Sequence, residues 1–189
     1  MADAGRVIAG TARGLRLDSP GEGTRPLGDR VKQTLFAILE PDLSGARFLD
    51  LFAGSGAAGI EALSRGAAHA TFVERDRAAS RTIGTNLVRT HLADRARIVT
   101  GDAITWLARV EASADGPFGI VFADPPYAAP DVLAAALEAL APHLAPAARV
   151  VAKHFWRDQP PVKVGLLASE RERRFGETTL TFYRRQEDG

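Results

Sequence analysis

The chain of 189 residues contains no cysteine. That absence excludes a disulfide scaffold, thiolate zinc sites, iron–sulfur clusters and any cysteine nucleophile, and with the last it excludes cytosine C5 methylation. It fits a cytoplasmic chain, since thiol-free sequences need no oxidising compartment. The four histidines, His69, His91, His143 and His154, stand apart with no HExxH-type pair, so no metal site is expected. No run of about 18 apolar residues occurs, and no membrane span is expected. The opening MADAGRVIAGTARG has arginines but no sustained apolar core, unlike a secretory signal. Neither sign of charge dominates: 24 Lys and Arg against 23 Asp and Glu leave a net charge of +1. Any polyanion partner must therefore be sought in how the charge is distributed.

What is present is an alternation. Hydrophobic residues make up 46% and charged residues 25% of the chain, ordinary values for a globular protein of one domain. Apolar runs at Ala46–Phe52, His69–Arg75, Arg95–Gly101, Phe118–Asp124 and Ala148–Phe155 read as buried strands. Helical patterns at Ala57–Ala67, Ser80–His91, Ala103–Glu111 and Pro130–Leu144 lie between them. Such alternation predicts an α/β fold, a mainly parallel sheet with helices on both faces joined by right-handed crossovers. The ends break the pattern. Residues 6–17 suggest a small β-hairpin around Gly10 and Gly14, and Asp29–Glu40 an amphipathic helix. After Phe155, two strands are expected to run antiparallel, with Glu170–Arg174 as a solvent-facing charged turn.

Gly54, Gly56 and Gly59 follow the first of these strands in a G-x-G-x-x-G spacing, and Glu74 ends the next strand. By spacing alone this is a dinucleotide fingerprint: glycines let a ligand approach the backbone, and the acid holds ribose hydroxyls. Asp50 decides between cofactors. A carboxylate just ahead of the loop repels a pyrophosphate but favours a ligand carrying an ammonium or sulfonium. The D-x-F-x-G-x-G pattern of Asp50, Phe52, Gly54 and Gly56 therefore favours S-adenosylmethionine over NAD. Asp102 and Ala103 follow the third strand, where the acid can accept from an adenine amino group and nearby backbone can address a ring nitrogen. Asp102 also suits an ordinary helix N-cap.

The fourth strand ends in Asp124-Pro125-Pro126-Tyr127, at the sheet edge where ligands of open α/β sheets bind. Consecutive prolines restrict the backbone and supply no N–H. The Asp124 carboxylate and the Pro125 carbonyl are then fixed acceptors for the two N–H bonds of an exocyclic amino group. Holding both bonds frees a lone pair otherwise delocalised into the base, a preorganised effect worth a few kcal/mol per group. Tyr127 can stack on that base, for about 1–3 kcal/mol. Basic residues Arg6, Arg13, Arg16, Arg25, Arg30 and Lys32 gather near the N-terminus, as a flap for nucleic-acid phosphates would require.

Taken together, these segments resemble class I S-adenosylmethionine-dependent methyltransferases. More narrowly, RVIAGTARGLRL, TRPLGDRVKQTLFAIL, FLDLFAGSGAAGIEALSRGA, FVERD and FADPPY resemble the bacterial 16S ribosomal RNA guanine-N2 methyltransferase (RsmD) family over nearly the whole chain. The resemblance implies a Rossmann-like domain with a seven-stranded sheet over 28–189, preceded by an RNA-contacting extension over 1–27. It implies cofactor contacts at Asp50, Gly54, Gly56, Glu74 and Asp102, and Asp124–Tyr127 around the target guanine. The implied partner is 16S rRNA within an assembled or assembling small subunit, met by a monomer without metal. Two positions depart from the pattern: Leu27 replaces a threonine, and Lys153-His154 stands where relatives often carry an acidic stretch. A DNA adenine-N6 methyltransferase uses the same Asp-Pro-Pro-Tyr chemistry, but no sizeable DNA-reading insertion is present. An NAD-dependent oxidoreductase and a non-catalytic RNA-binding protein are the remaining alternatives.

Overall fold

The computed structural model describes residues 3–21, 27–109, 114–126 and 130–187. The strands are β1 (Asp3–Arg6), β2 (Arg16–Asp18), β3 (Arg47–Leu51), β4 (His69–Glu74), β5 (Ala96–Thr100), β6 (Phe118–Ala123), β7 (Leu144–Phe155), β8 (Lys163–Val164), β9 (Leu167–Phe175) and β10 (Thr178–Arg185). The helices are α1 (Asp29–Leu43), α2 (Ala57–Ser64), α3 (Arg77–Arg89), α4 (Ala103–Leu107) and α5 (Pro130–Leu140). The main sheet runs β5-β4-β3-β6-β7-β10-β9-β8, and β1 and β2 form a separate antiparallel pair. From β5 to β7 neighbours are parallel, and β10, β9 and β8 are antiparallel. The expected seven strands are thus joined by a two-residue eighth, β8, at the edge.

Strand side chains alternate between faces, so each apolar run feeds two cores. Phe48, Phe72, Ile120, Phe122 and Val151 pack beneath α1, α2 and α3. Leu49, Leu51, Val73, Val121 and Val150 pack with Trp106, Leu107, Leu133 and Leu137 of α4 and α5. This two-sided burial explains runs that are continuously hydrophobic rather than alternating.

The N-terminal segment is tied down by polar contacts. Glu61 of α2, fully buried, accepts from the backbone N–H of Ile8 at 2.8 Å and of Ala9 at 3.0 Å. The Ser64 hydroxyl donates to the Ala9 carbonyl at 2.6 Å and accepts from the Ala12 N–H at 3.0 Å. Gly10 is required here: its φ is +84°, and an added Cβ would lie 1.8 Å from the Ser64 carbonyl oxygen.

Several element limits differ from the sequence-based expectation. Helix α1 continues past Pro41 to Leu43, because burying Leu43 against the core outweighs one lost hydrogen bond. Helix α5 stops at Leu140, two residues before Pro142, and β7 starts at Leu144. The run Glu170–Arg174 is not a turn. It lies inside β9, whose exposed outer positions tolerate charge, and the turn falls at Gly176, where φ is +60°.

Gly59 sets how closely α2 approaches the sheet: a Cβ there would lie 2.3 Å from the Phe72 ring. Gly59→Ala is expected to lower unfolding free energy by about 1–3 kcal/mol, because overpacking outweighs the gain in helix propensity. Urea denaturation measures this directly.

Candidate active site

Five adjacent strands of the sheet, in the order β5, β4, β3, β6, β7, carry a charged residue within two positions of their C-terminal ends: Asp102, Glu74, Asp50, Asp124 and Lys153. The topology brings together four carboxylates scattered over 75 positions, and sets one lysine beside them. Backbone bonds fix the strand ends in step: Gly101 N–H donates to the Glu74 carbonyl at 2.9 Å, and Asp124 N–H to the Leu51 carbonyl at 3.2 Å.

Asp50 is almost completely buried, and its Oδ2 accepts from the Gly59 N–H at 2.8 Å. Burial pushes its carboxyl well above the usual carboxylate range, and Asp124 and Glu74 add to this, against the Gly59 hydrogen bond. Glu74 braces the glycine loop: its Oε2 accepts from Gly54 N–H at 2.8 Å and its Oε1 from Asp76 N–H at 2.8 Å. The loop itself bends through left-handed residues, with φ of +60° at Phe52, +57° at Gly54 and +77° at Gly56. A non-glycine residue in that region costs about 1–2 kcal/mol, so Phe52 stores strain beside the site. Asp102 is the N-cap of α4, accepting from Thr105 N–H at 2.8 Å, and that bond holds its carboxyl below the usual range. Ala103 is buried behind it.

Asp124 faces Lys153. The Lys153 ammonium donates to both Asp124 oxygens, at 2.7 and 2.8 Å, and Lys153 is only 7% exposed. Burial raises the Asp124 carboxyl, and Lys153 opposes that rise by its charge and its hydrogen bond. His154 also lines the adjoining cavity but makes its bonds away from the pair: its ring nitrogens meet the Phe155 carbonyl at 2.9 Å and the Thr181 hydroxyl at 2.8 Å. Beside this pair opens a cavity of about 370 Å³, lined among others by Pro125, Pro126, Leu133, Lys153, Asp158 and Pro161. That volume is in the range of small-ligand pockets. Tyr127 lies outside the described residues.

One residue of the site gives no motif signal in the sequence. Asn86 of α3 is fully buried. Its amide donates to the carbonyls of Ser55 and Asp18, each at 3.0 Å, and accepts from Asp18 N–H at 2.8 Å. It therefore couples the glycine loop to the N-terminal segment, whose Asp18 is also held by Arg89 at 2.7 and 2.9 Å.

A family model described as Conserved hypothetical protein 95, the RsmD family, matches residues 5–184. The chain belongs to this family. Ribosomal RNA small subunit methyltransferase D of Escherichia coli is 48% identical over 123 residues, which is 65% of this chain and 60% of that one. The solved Escherichia coli structure yhhF is 38% identical with a TM-score of 0.82, covering 97% of this chain and 98% of that one. An RNA methyltransferase from Salinibacter ruber, solved with S-adenosyl-L-homocysteine, shares the fold at 19% identity and a TM-score of 0.64, over 86% of this chain and 95% of that one. The fold is the Rossmann-like class I methyltransferase fold.

The basic residues of this RsmD-family chain divide on burial. Arg13 and Arg30 are exposed. Arg6 and Arg16 are exposed too, paired with Asp29 and Asp3 respectively. Lys32 must be removed from the expected RNA face. It is fully buried, its ammonium donates to the Arg6 carbonyl at 2.5 Å, and burial lowers its pKa. An ammonium enclosed beneath the hairpin cannot reach a phosphate. Arg25 lies outside the described residues.

The carboxylate set fits a cationic cofactor that also brings hydroxyl and amino donors, and it is hostile to a pyrophosphate. Because the folded Asp50 carboxyl binds its proton more tightly than the unfolded one, folded stability falls as pH rises from about 4 through the folded value. Asp50→Asn is expected to make the protein more stable at pH 8, by about 1 kcal/mol or more, because no buried charge remains. The same change is expected to weaken S-adenosylmethionine binding by about tenfold or more, one lost charge contact being worth at least 1.4 kcal/mol. Urea unfolding and titration calorimetry read the two effects.

Proposed function

We propose that the chain is an S-adenosylmethionine-dependent methyltransferase that modifies the exocyclic N2 amino group of a guanine in 16S rRNA. The observation that carries this reading is Asp124, followed by Pro125 and Pro126, at the end of β6 and in one row with three further carboxylates carried by β3, β4 and β5. The name of the Escherichia coli relative supports rRNA of the small subunit as the substrate class. The partner is an assembled or assembling small subunit met in the cytoplasm by a monomer, with residues 1–27 contacting RNA and 28–189 carrying the chemistry.

The chain's own residues divide the work. Asp50 places negative charge where the cofactor's cationic groups lie, Glu74 receives ribose hydroxyls on its remaining lone pairs, and Asp102 with the Ala103 backbone addresses the adenine. Phe52, Gly54 and Gly56 shape the loop so that the cofactor lies against backbone. S-adenosylmethionine held there would supply an electrophilic methyl carbon for the amine lone pair, with the thioether sulfur as the leaving group that keeps the electron pair. Asp124 and the Pro125 carbonyl accept the two N–H bonds of the amine, which localises its lone pair and stabilises the positive charge that forms there. The aminium then returns one N–H proton to solvent, and the neutral methylated amine leaves. The cavity beside Pro125 and Pro126 receives the base, with Tyr127 stacking on it. A guanine reaches such a cavity only when it leaves its stack or comes from an open loop. Arg6, Arg13, Arg16, Arg25 and Arg30 hold flanking phosphates, which positions the RNA without reading its sequence.

Two measurements test this. With methyl-labelled S-adenosylmethionine offered to unmodified small subunits, naked rRNA and DNA, label is expected in N2-methylguanosine from rRNA; label only in N6-methyladenine of DNA would assign the chain to DNA instead. Asp124→Ala is expected to cut turnover by about 100-fold or more while S-adenosylmethionine affinity stays within about threefold, since removing one preorganised transition-state contact costs about 3–4 kcal/mol. Near-normal turnover in that variant would remove Asp124 from the chemistry.

A further inference from the structure

Asp124 is a strong acceptor, able to stabilise the cation forming on the amine, only as a carboxylate, and its surroundings work against that state. It is half-buried near Asp50, which in turn faces Glu74. Across the adjoining cavity the titratable groups are Asp131 of α5, His154 of β7 and Asp158 beyond it. Of these groups Asp50, Glu74, Asp131 and Asp158 are acids. Against them stands the cation of Lys153, which holds both Asp124 oxygens at 2.7 and 2.8 Å from inside the protein.

The register shows why this lysine arrives there. Ala123 of β6 pairs with Ala152 of β7, so the next residue on each strand, Asp124 and Lys153, share a level and a sheet face. Leu180 of β10, opposite Lys153 in the register, is fully buried in the core on that face. The side chain of Lys153 is 9% exposed, against 24% for Asp124. The lysine also lines the cavity. An ionised carboxylate offers about four lone-pair directions, of which this fork uses two. The other two remain for an incoming N–H.

We propose that Lys153 is a positioning residue for methyl transfer: its two-pronged bond fixes the plane of the Asp124 carboxylate and keeps it charged, ready to receive the amine. The proposal rests on the assignment of Asp124 as the acceptor made above. A surface ion pair is worth little, but removing the cation from a largely enclosed one leaves a charge that is harder to hold. The cost then appears as protonation of Asp124. Because activity is lost as pH falls through the Asp124 titration, removing Lys153 moves that loss to higher pH.

The test uses Lys153→Met, which keeps the stem and removes the charge, and Lys153→Arg, which restores it. For Lys153→Met, the acid limb of the kcat profile is expected to move up by about one pH unit or more, so that turnover well below both midpoints drops about tenfold and recovers toward the unaltered rate at high pH. KM for the RNA is expected to stay within about threefold, and Lys153→Arg to return the limb most of the way. A readout independent of turnover is the carbon-13 carboxyl resonance of Asp124 in cofactor-free protein, whose midpoint is expected to rise in Lys153→Met by the same amount. An unmoved midpoint and limb, or a loss of turnover equal at every pH, would overturn the proposal. If Asp124→Ala keeps its turnover, the acceptor assignment fails; if that variant is dead while the Lys153→Met limb stays put, only the role of Lys153 fails. Should Lys153→Met not fold, the unaltered protein still decides: the Lys153 Nζ resonance must respond as the Asp124 carboxyl titrates, and a Lys153 resonance unmoved through that titration contradicts the pairing.

Discussion

The concentration of negative charge at one edge of a parallel sheet is the constraint on which the rest depends. Parallel strands all end on the same side, so an acid at each strand end is brought beside its neighbours whether or not repulsion favours it. Asp50 lies in the middle of the row, buried, and its carboxyl is pushed upward by burial and by both flanking acids. Such an arrangement costs folding free energy in the absence of a ligand. It is retained where a cation and several N–H or O–H donors arrive together to satisfy it.

The chain holds this edge in shape by indirect means. Asp50 is anchored to the first turn of α2 through Gly59, and Gly59 is also what lets α2 lie against Phe72. Glu74 braces Gly54, and Asn86 ties Ser55 to the hairpin segment at Asp18. The hairpin is in turn fastened to Glu61 and Ser64 farther along α2. Glycine loop and N-terminal segment therefore share supports.

Much of this was legible in the sequence because its signals are local. Glycine spacing, the acid at a strand end and the doubled proline each act within a few residues, and continuous apolar runs mark strands buried on both faces. What could not be read depends on contacts across the fold. Lys32 reads as one more cation of a basic segment, yet the hairpin folds over it and encloses its ammonium. Glu61 sits in an alanine-rich helix as an ordinary surface acid would, and instead receives two backbone N–H groups from more than 50 residues away. Lys153 stands out in sequence only as a departure from an acidic stretch; its partner follows from the β6–β7 register, which no local pattern specifies. The charged run before Phe175 looked like a turn because its composition is that of a surface, and an outer strand meets the same solvent.

The central claim is that this edge recognises a cation-bearing nucleoside rather than a pyrophosphate. Titration calorimetry of the cofactor-free protein with S-adenosylmethionine and, separately, with NAD tests it most directly. The account predicts saturable S-adenosylmethionine binding in the micromolar range, about −8 kcal/mol, and no measurable heat of binding for NAD. Saturable binding of NAD with none for S-adenosylmethionine would contradict it.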